Sequence, residues 1–200
     1  IDMKKIPQEV LDAKIVDVAA GYDHIVALDE DNHLYVWGNT RLGQDRIPSE
    51  LKPSRTKGTP EIIQIEAGYQ ISGALTADGN AYFWGNGNMA DIDVKKEYQG
   101  RVKKIAVATY NYCLLLDDGS VVYAGLQKNN AFTKVPENLK SGVVDIAASG
   151  DTMAAVDQNG KITVWGNATH GEKNVPETDS KPVELYGGRY HYTALMENGD

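Results

Sequence analysis

Two hundred residues, 42% of them hydrophobic and 24% charged, make a chain that can bury a core, which excludes a disordered tail or linker. Twenty Lys and Arg against 28 Asp and Glu give a formal charge of −8, which repels a phosphate backbone, so no nucleic-acid partner is expected. A single cysteine, Cys113, excludes an internal disulfide and a thiolate metal cluster, and no apolar run approaches the roughly 18 residues of a membrane-spanning helix.

From the amino end, the first strand is predicted at Ile15 to Ala19. A hairpin then joins His24 to Leu28 with Leu34 to Trp37 through the acidic turn Asp29-Glu30-Asp31-Asn32. The same order returns along the chain. Val18, Gly21, His24, Leu28, Asn32 and Trp37-Gly38-Asn39 are matched by Ile65, Gly68, Ile71, Leu75, Gly79 and Trp84-Gly85-Asn86. A third copy runs from Ile105 through Asn111 and Gly119 to Ala124-Gly125, and a fourth from Ile146 through Thr152 and Gly160 to Trp165-Gly166-Asn167. The fifth begins at Leu185 and carries Gly188, His191, Leu195 and Gly199.

From the first apolar residue to the turn residue the interval is fourteen in all five copies, so each copy is one structural unit. Steps between copies are 47, 40, 41 and 39 residues, which places the insertion in the Pro-rich, basic connector from Asp45 to Pro60. Further first strands are predicted at Ile62 to Glu66, Val102 to Ala106 and Val143 to Ala147. The strands are apolar on both faces, and Ala27, Ala74, Ala155 and Ala194 are small, as sheets stacked on both sides require. The phrases Ile6-Pro7, Ile47-Pro48, Val135-Pro136 and Val175-Pro176 mark edge or linker segments, since proline cannot donate to a ladder. A period of about 40 residues with three or four short strands per unit is the mark of a β-propeller. One partial propeller domain over 1–200 is expected, with repeats near 6–46, 47–94, 95–134, 135–174 and a truncated 175–200.

The order Gly21-x-x-His24-x-x-x-Leu28, turn, Trp37-Gly38-x-x-x-x-Gly43-Gln44 resembles the repeat of the regulator of chromosome condensation family, over essentially the whole chain. The resemblance implies a ring of seven blades, of which about four and a half stand here, so the chain is read as a fragment or as one that associates with itself to complete the ring. Val135 to Gly150 looks closest to short-repeat bacterial members, among them secreted β-lactamase inhibitor proteins, which implies a bacterial, extracellular or cell-surface protein. Departures are Ile71, Asn111 and Thr152 in the His24 slot, Ala124 for tryptophan, and a Gly-Gln pair found only at Gly43-Gln44. The third blade is accordingly expected to be the least regular. The exchange-factor loop and basic segments of the chromosomal members have no match.

No catalytic, metal or cofactor site is expected. His24 and His191 share a slot and should each pack or cap its own blade, while His33 and His170 fall in turns without a partner at metal-ligand spacing. The turns Asp29–Asn32 and Asp117-Asp118-Gly119 read as hairpin tips rather than calcium loops, because Thr76-Ala77-Asp78-Gly79 lacks the charge. Gly85-Asn86-Gly87-Asn88 lacks the Lys-Ser/Thr of a phosphate loop, and no serine has an evident base and orienter. Lys95, Lys96, Arg101, Lys103 and Lys104 read as a solvated loop face, and Asn167-Ala168-Thr169 as a chance glycosylation triplet.

The pairs after the repeat glycine are unusual. They are Tyr22-Asp23, Tyr69-Gln70, Thr109-Tyr110, Gly150-Asp151 and Arg189-Tyr190, rich in tyrosine where an indifferent turn would carry Ser, Asn or Lys. In a propeller these corners would gather on one face, and the resemblance to the inhibitor proteins implies that this face grips the partner. Tyr22, Asp23, Tyr69, Gln70, Tyr110, Asp151, Arg189 and Tyr190 are therefore the expected protein-binding residues. An exchange factor or chromatin reader, and a propeller lyase or hydrolase, are the alternatives.

Overall fold

A computed structural model describes residues 5–56, 58–87, 92–125 and 134–200. Asn88 of the glycine-rich turn, Lys57 of the basic connector and the stretch after Ala124-Gly125 lie outside them. The chain divides into two compact units, Ile1–Arg101 and Val102–Asp200.

The first unit holds a short helix α1 (Gln8–Asp12) and two antiparallel sheets. These are β1 (Ile15–Ala20), β2 (His24–Asp29) and β3 (Leu34–Gly38), then β4 (Ile62–Ala67), β5 (Ile71–Thr76) and β6 (Ala81–Gly85). The second unit holds β7 (Val102–Val107), β8 (Asn111–Leu116) and β9 (Val121–Gly125), then β10 (Val143–Ser149), β11 (Thr152–Asp157) and β12 (Ile162–Gly166), and a pair, β13 (Pro182–Gly187) and β14 (Tyr192–Met196). Every predicted first strand is found, each with a register shift near its start, as between Ile15 and Asp17. The third blade is a regular three-stranded sheet despite Ala124.

Within each unit, the first strand of a blade lies on the first two strands of the blade before it: β4 on β1 and β2, β10 on β7 and β8, β13 on β10 and β11. This stacking makes the core. Val26, Leu28, Ile62, Ile65, Ala74 and Trp84 pack together in the first unit, and Cys113, Leu115, Val143, Ile146, Met153 and Trp165 in the second. Burial pushes the Cys113 thiol well above its ordinary range, so it behaves as a small apolar residue. Ala27, Ala74 and Ala155 are fully buried, as stacked middle strands need.

The fourteen-residue spacing ends on one backbone conformation. Asn32, Gly79, Gly119, Gly160 and Gly199 have φ of 68°, 82°, 77°, 81° and 90°, the left-handed region that closes these hairpin tips. Each of the first three tips also holds the start of the next repeat. The Val143 amide donates to the Gly119 carbonyl at 3.0 Å, and the Gly100 amide to that of Gly79 at 3.0 Å. A Cβ on Gly119 would stand 2.8 Å from the Gly142 nitrogen. Asn32 does the same work with its side chain, donating to the Pro60 carbonyl (3.0 Å) and accepting from the Ile62 amide (2.8 Å).

The proline phrases correct the sequence reading. Three of the four are linkers that coil into a helical turn directly after the proline: α1, Ser49–Leu51 and Glu137–Leu139. Proline pre-sets the backbone for such a turn at no cost in donors. Each turn buries one apolar side chain, Val10, Leu51 or Leu139, three residues after the proline. At the fourth phrase that position is the exposed Asp179, and no turn forms.

Candidate functional site

Two kinds of locus stand out, a buried polar joint between successive blades and the aromatic corners. In the first unit His24 is fully buried, and its Nε2 lies 3.0 Å from Ser72 Oγ of the next blade. Ser72 Oγ donates to the Gln44 carbonyl at 3.1 Å, so it must accept from His24 Nε2–H, which fixes the neutral tautomer. The Trp84 indole N–H donates to the same carbonyl at 2.7 Å. His24 therefore joins its own blade to the next instead of capping its own. Burial holds its pKa below the ordinary 6.5, against the pull of Asp23, whose Oδ1 lies 3.9 Å from Nδ1.

Asp23, His24 and Ser72 thus form the acid-base-hydroxyl order that sequence reading did not find, because Ser72 lies 48 residues from His24. The set is sealed. His24 and Ser72 are both 0% exposed, and the serine proton is committed to a carbonyl. A nucleophile needs an open face beside it, so this arrangement serves as a fastening.

The second unit repeats the joint in other residues. Thr152 stands in the His24 slot, and its Oγ1 lies 2.7 Å from the Tyr192 hydroxyl, in the slot of Ser72, while also donating to the Ser149 carbonyl. Burial pushes the Tyr192 phenol well above its usual range. Gly171-Glu172 proves to be the counterpart of Gly43-Gln44, a match hidden by the change of amide to acid. Gly43 and Gly171 have φ of 90° and 87°. The Leu42 amide donates to Gln44 Oε1 (3.0 Å), and the His170 amide to Glu172 Oε2 (2.7 Å). Desolvation raises the Glu172 pKa, but the backbone amides around it outweigh that and hold it below 4.5. His191, in the His24 slot of the last blade, is exposed rather than packed.

Two of the corner pairs spend side chains on their own blade. Asn39 donates its backbone amide to the Asp23 carbonyl (2.8 Å) and its side-chain amide to Asp23 Oδ2 (2.7 Å). Asn86 treats Gln70 alike, at 3.0 and 2.8 Å, and the Asn167 amide donates to the Asp151 carbonyl at 3.1 Å. The Asn of each Trp-Gly-Asn close thus secures the corner loop.

The first residue of the pair faces outward in the first unit. Tyr22 is 60% exposed and meets the half-buried Tyr69 ring edge to face, with centroids 5.0 Å apart. Backbone bonding pins this contact, since the Tyr22 amide donates to the Gly68 carbonyl at 3.0 Å. In the second unit, Tyr190 stacks on His170 at 4.0 Å with the Arg189 guanidinium 5.1 Å from its ring, while Asp151 is exposed and Tyr110 half-buried. Among the described residues no group of three or more His, Cys, Asp or Glu could hold a metal, and no helix is long and apolar enough to cross a membrane.

Three-stranded modules stacked first strand upon preceding sheet, with glycine-tipped hairpins and Trp-Gly closes, define an all-β chain of propeller blades. Residues 15–44 match the model of the regulator of chromosome condensation (RCC1) repeat. A curated relative, the mitochondrial RCC1 domain-containing protein RUG3 of Arabidopsis thaliana, is 26% identical over 212 residues, 87% of this chain and 47% of the relative. The chain thus spans about half the length of that protein. Among solved structures, yeast RCC1 (Prp20), seen bound to Kap60, aligns with a TM-score of 0.76 at 21% identity over 97% of this chain and 56% of its own. Human WBSCR16 aligns with a TM-score of 0.68 at 20% identity over 93% and 58%. These likenesses show the fold. The narrower resemblance to bacterial inhibitor proteins is not carried by them, and the curated relative is a plant mitochondrial protein.

Proposed function

We propose that this chain is a non-enzymatic module that binds another protein through its aromatic corners. The observation that carries the reading is the Tyr22–Tyr69 pair. A 60% exposed tyrosine is held edge to face on a second one and anchored by a backbone hydrogen bond to the next blade. A large ring held rigid in solvent offers contact area at little entropic cost, the property that makes tyrosine common at recognition surfaces. Arg189, Tyr190 and His170 supply a second such cluster in the other unit. His24 and Ser72, the base and hydroxyl found side by side, are sealed from solvent, which favours binding over chemistry.

Yeast Prp20 is a protein with Kap60 in its crystal structure and with binding properties toward Gsp1p and histones, which supports a protein partner here as well. The net charge of −8 steers the chain toward a partner with a neutral or basic surface. The test is photo-crosslinking from Tyr22 and Tyr190 in extracts of the source cells, followed by binding of the captured protein to Tyr22→Ala and Tyr190→Ala. Loss of more than about tenfold in affinity is expected for a buried aromatic anchor. Unchanged affinity in both variants overturns the reading.

A further inference from the structure

On the first blade, β3 and the connector to the second blade line an open pocket of about 250 Å³. Leu34, Ile47, Leu51 and Pro53 make its apolar wall, and His33 and Lys52 are its polar groups. The pocket belongs to the joint between two blades of one unit, since Leu34, Ile47 and Leu51 share a core cluster with Ile62 and Trp84. His33 is half-buried at its hairpin tip, as Asn80 and Ser120 are at the same position of the next two blades. The volume is below the roughly 300–1,000 Å³ of pockets for drug-sized ligands, and it suits a single amino-acid residue.

Neighbours set the chemistry of both polar groups. The buried Asp29 accepts the Asp31 and His33 amides on Oδ1 (2.9 and 2.8 Å) and the Tyr35 hydroxyl on Oδ2 (2.9 Å). His33 Nδ1 lies 3.2 Å from the same Oδ2. An ionised carboxylate can only accept, so the proton of the neutral ring sits on Nδ1 and Nε2 keeps a lone pair for a donor. Lys52 follows Leu51 as Lys140 follows Leu139, and there the Lys140 ammonium pairs with Glu137. Ser49 stands in the place of Glu137, and among the described residues no carboxylate pairs with Lys52. The insertion peculiar to this connector follows directly and brings Pro53 onto the pocket. Insertions in a repeat are where binding loops arise.

We propose that this pocket receives the carboxyl-terminal residue of a partner polypeptide, an apolar one, with its carboxylate on Lys52, its backbone N–H on His33 Nε2 and its side chain on the apolar wall. Such a residue carries an anion, a donor and an apolar group on one carbon, the three features the pocket answers. A free amino acid has the same carboxylate, but its ammonium would stand against the charge of Lys52. The aromatic corners stand before the start of β2 and His33 beyond its end, so this site is tested independently of them.

The test is titration of the 200-residue chain with N-acetyl-leucine, followed by the imidazole proton signals of its four histidines. The His33 signal, identified by its loss in His33→Gln, should move and saturate at about millimolar ligand, the strength expected of so small a molecule. N-acetyl-leucinamide, which lacks the charge, should bind about fivefold more weakly. N-acetylglycine, which lacks the side chain, should bind about tenfold more weakly, and free leucine should also bind more weakly than its acetylated form. Lys52→Met, at an exposed position and so compatible with folding, should lose the same factor as the leucinamide, whereas Lys140→Met should bind as the unaltered chain does. A His33 signal that does not saturate, equal binding of the leucinamide, N-acetylglycine or free leucine, a Lys52→Met chain that binds normally, or a Lys140→Met chain that binds as poorly would each overturn the proposal.

Discussion

The joint between the first two blades and that between the last two occupy the same slots and are fastened very differently. The first has Leu51 plugged beneath its linker, Asn32 clasping the next strand from both sides, and His24, Ser72, Gln44 and Trp84 in one buried chain of hydrogen bonds. The last has the exposed Asp179 in place of the plug. Pro182 stands where Ile62 and Val143 offer an amide to the preceding tip, and the side-chain contacts are the Thr152–Tyr192 pair and the Leu185 amide donating to Asp145 Oδ2. Repetition therefore fixes where two blades meet and leaves open how strongly they are held. That freedom explains why one slot tolerates histidine, isoleucine, asparagine and threonine.

Removing the plug should separate the two joints most. Leu51→Ala should destabilise by about 2–5 kcal/mol in denaturant titration, the usual cost of emptying a buried leucine site, whereas Asp179→Ala should stay within about 0.5 kcal/mol as an exposed change. Next come the polar contacts. Ser72→Ala strands the His24 N–H in the core and should cost about 1–3 kcal/mol, while Tyr192→Phe leaves Thr152 its bond to the Ser149 carbonyl and should cost about 1 kcal/mol.

Acid sharpens the contrast more gently. His24 has a lowered pKa in the fold, so below about pH 6.5 the unfolded chain takes up a proton that the native state refuses. Stability then falls as pH falls, by up to about 1.4 kcal/mol per pH unit, until the native histidine also titrates. Glu172 works lower down. Its native carboxyl lies below 4.5, so its contribution is complete above that value and is lost only as pH falls through the native pKa. Thermal melts of the unaltered chain between pH 7 and 5 should decline, and His24→Thr, which imports the residue of the last joint, should flatten that decline. An equal slope in both would break the comparison.

The blades were legible in the sequence because the tips impose a rule that no side chain can evade. A left-handed residue must recur at a fixed distance, and glycine or asparagine marks it. The strand bounds followed within a residue or two. The joints were not legible, since His24 and Ser72 lie 48 residues apart and their slots are filled by unlike residues in other repeats. Gly171-Glu172 was missed for a related reason: a carboxylate oxygen accepts the same backbone amide as an amide oxygen, so the geometry persists while the letter changes. The short helical turns escaped because proline was read for the donor it lacks rather than for the backbone angle it sets. The corner tyrosines were found by composition, but the bonds that occupy Asp23 and Gln70 required coordinates.

The hairpin tips carry one more consequence, for biosynthesis. In the first unit, and again between Gly119 and Val143, the tip of one module holds the opening residues of its successor, so each finished module is a template for what emerges after it. A ribosome delivers these segments in that order, and the nascent polypeptide can add one module at a time onto an already folded neighbour.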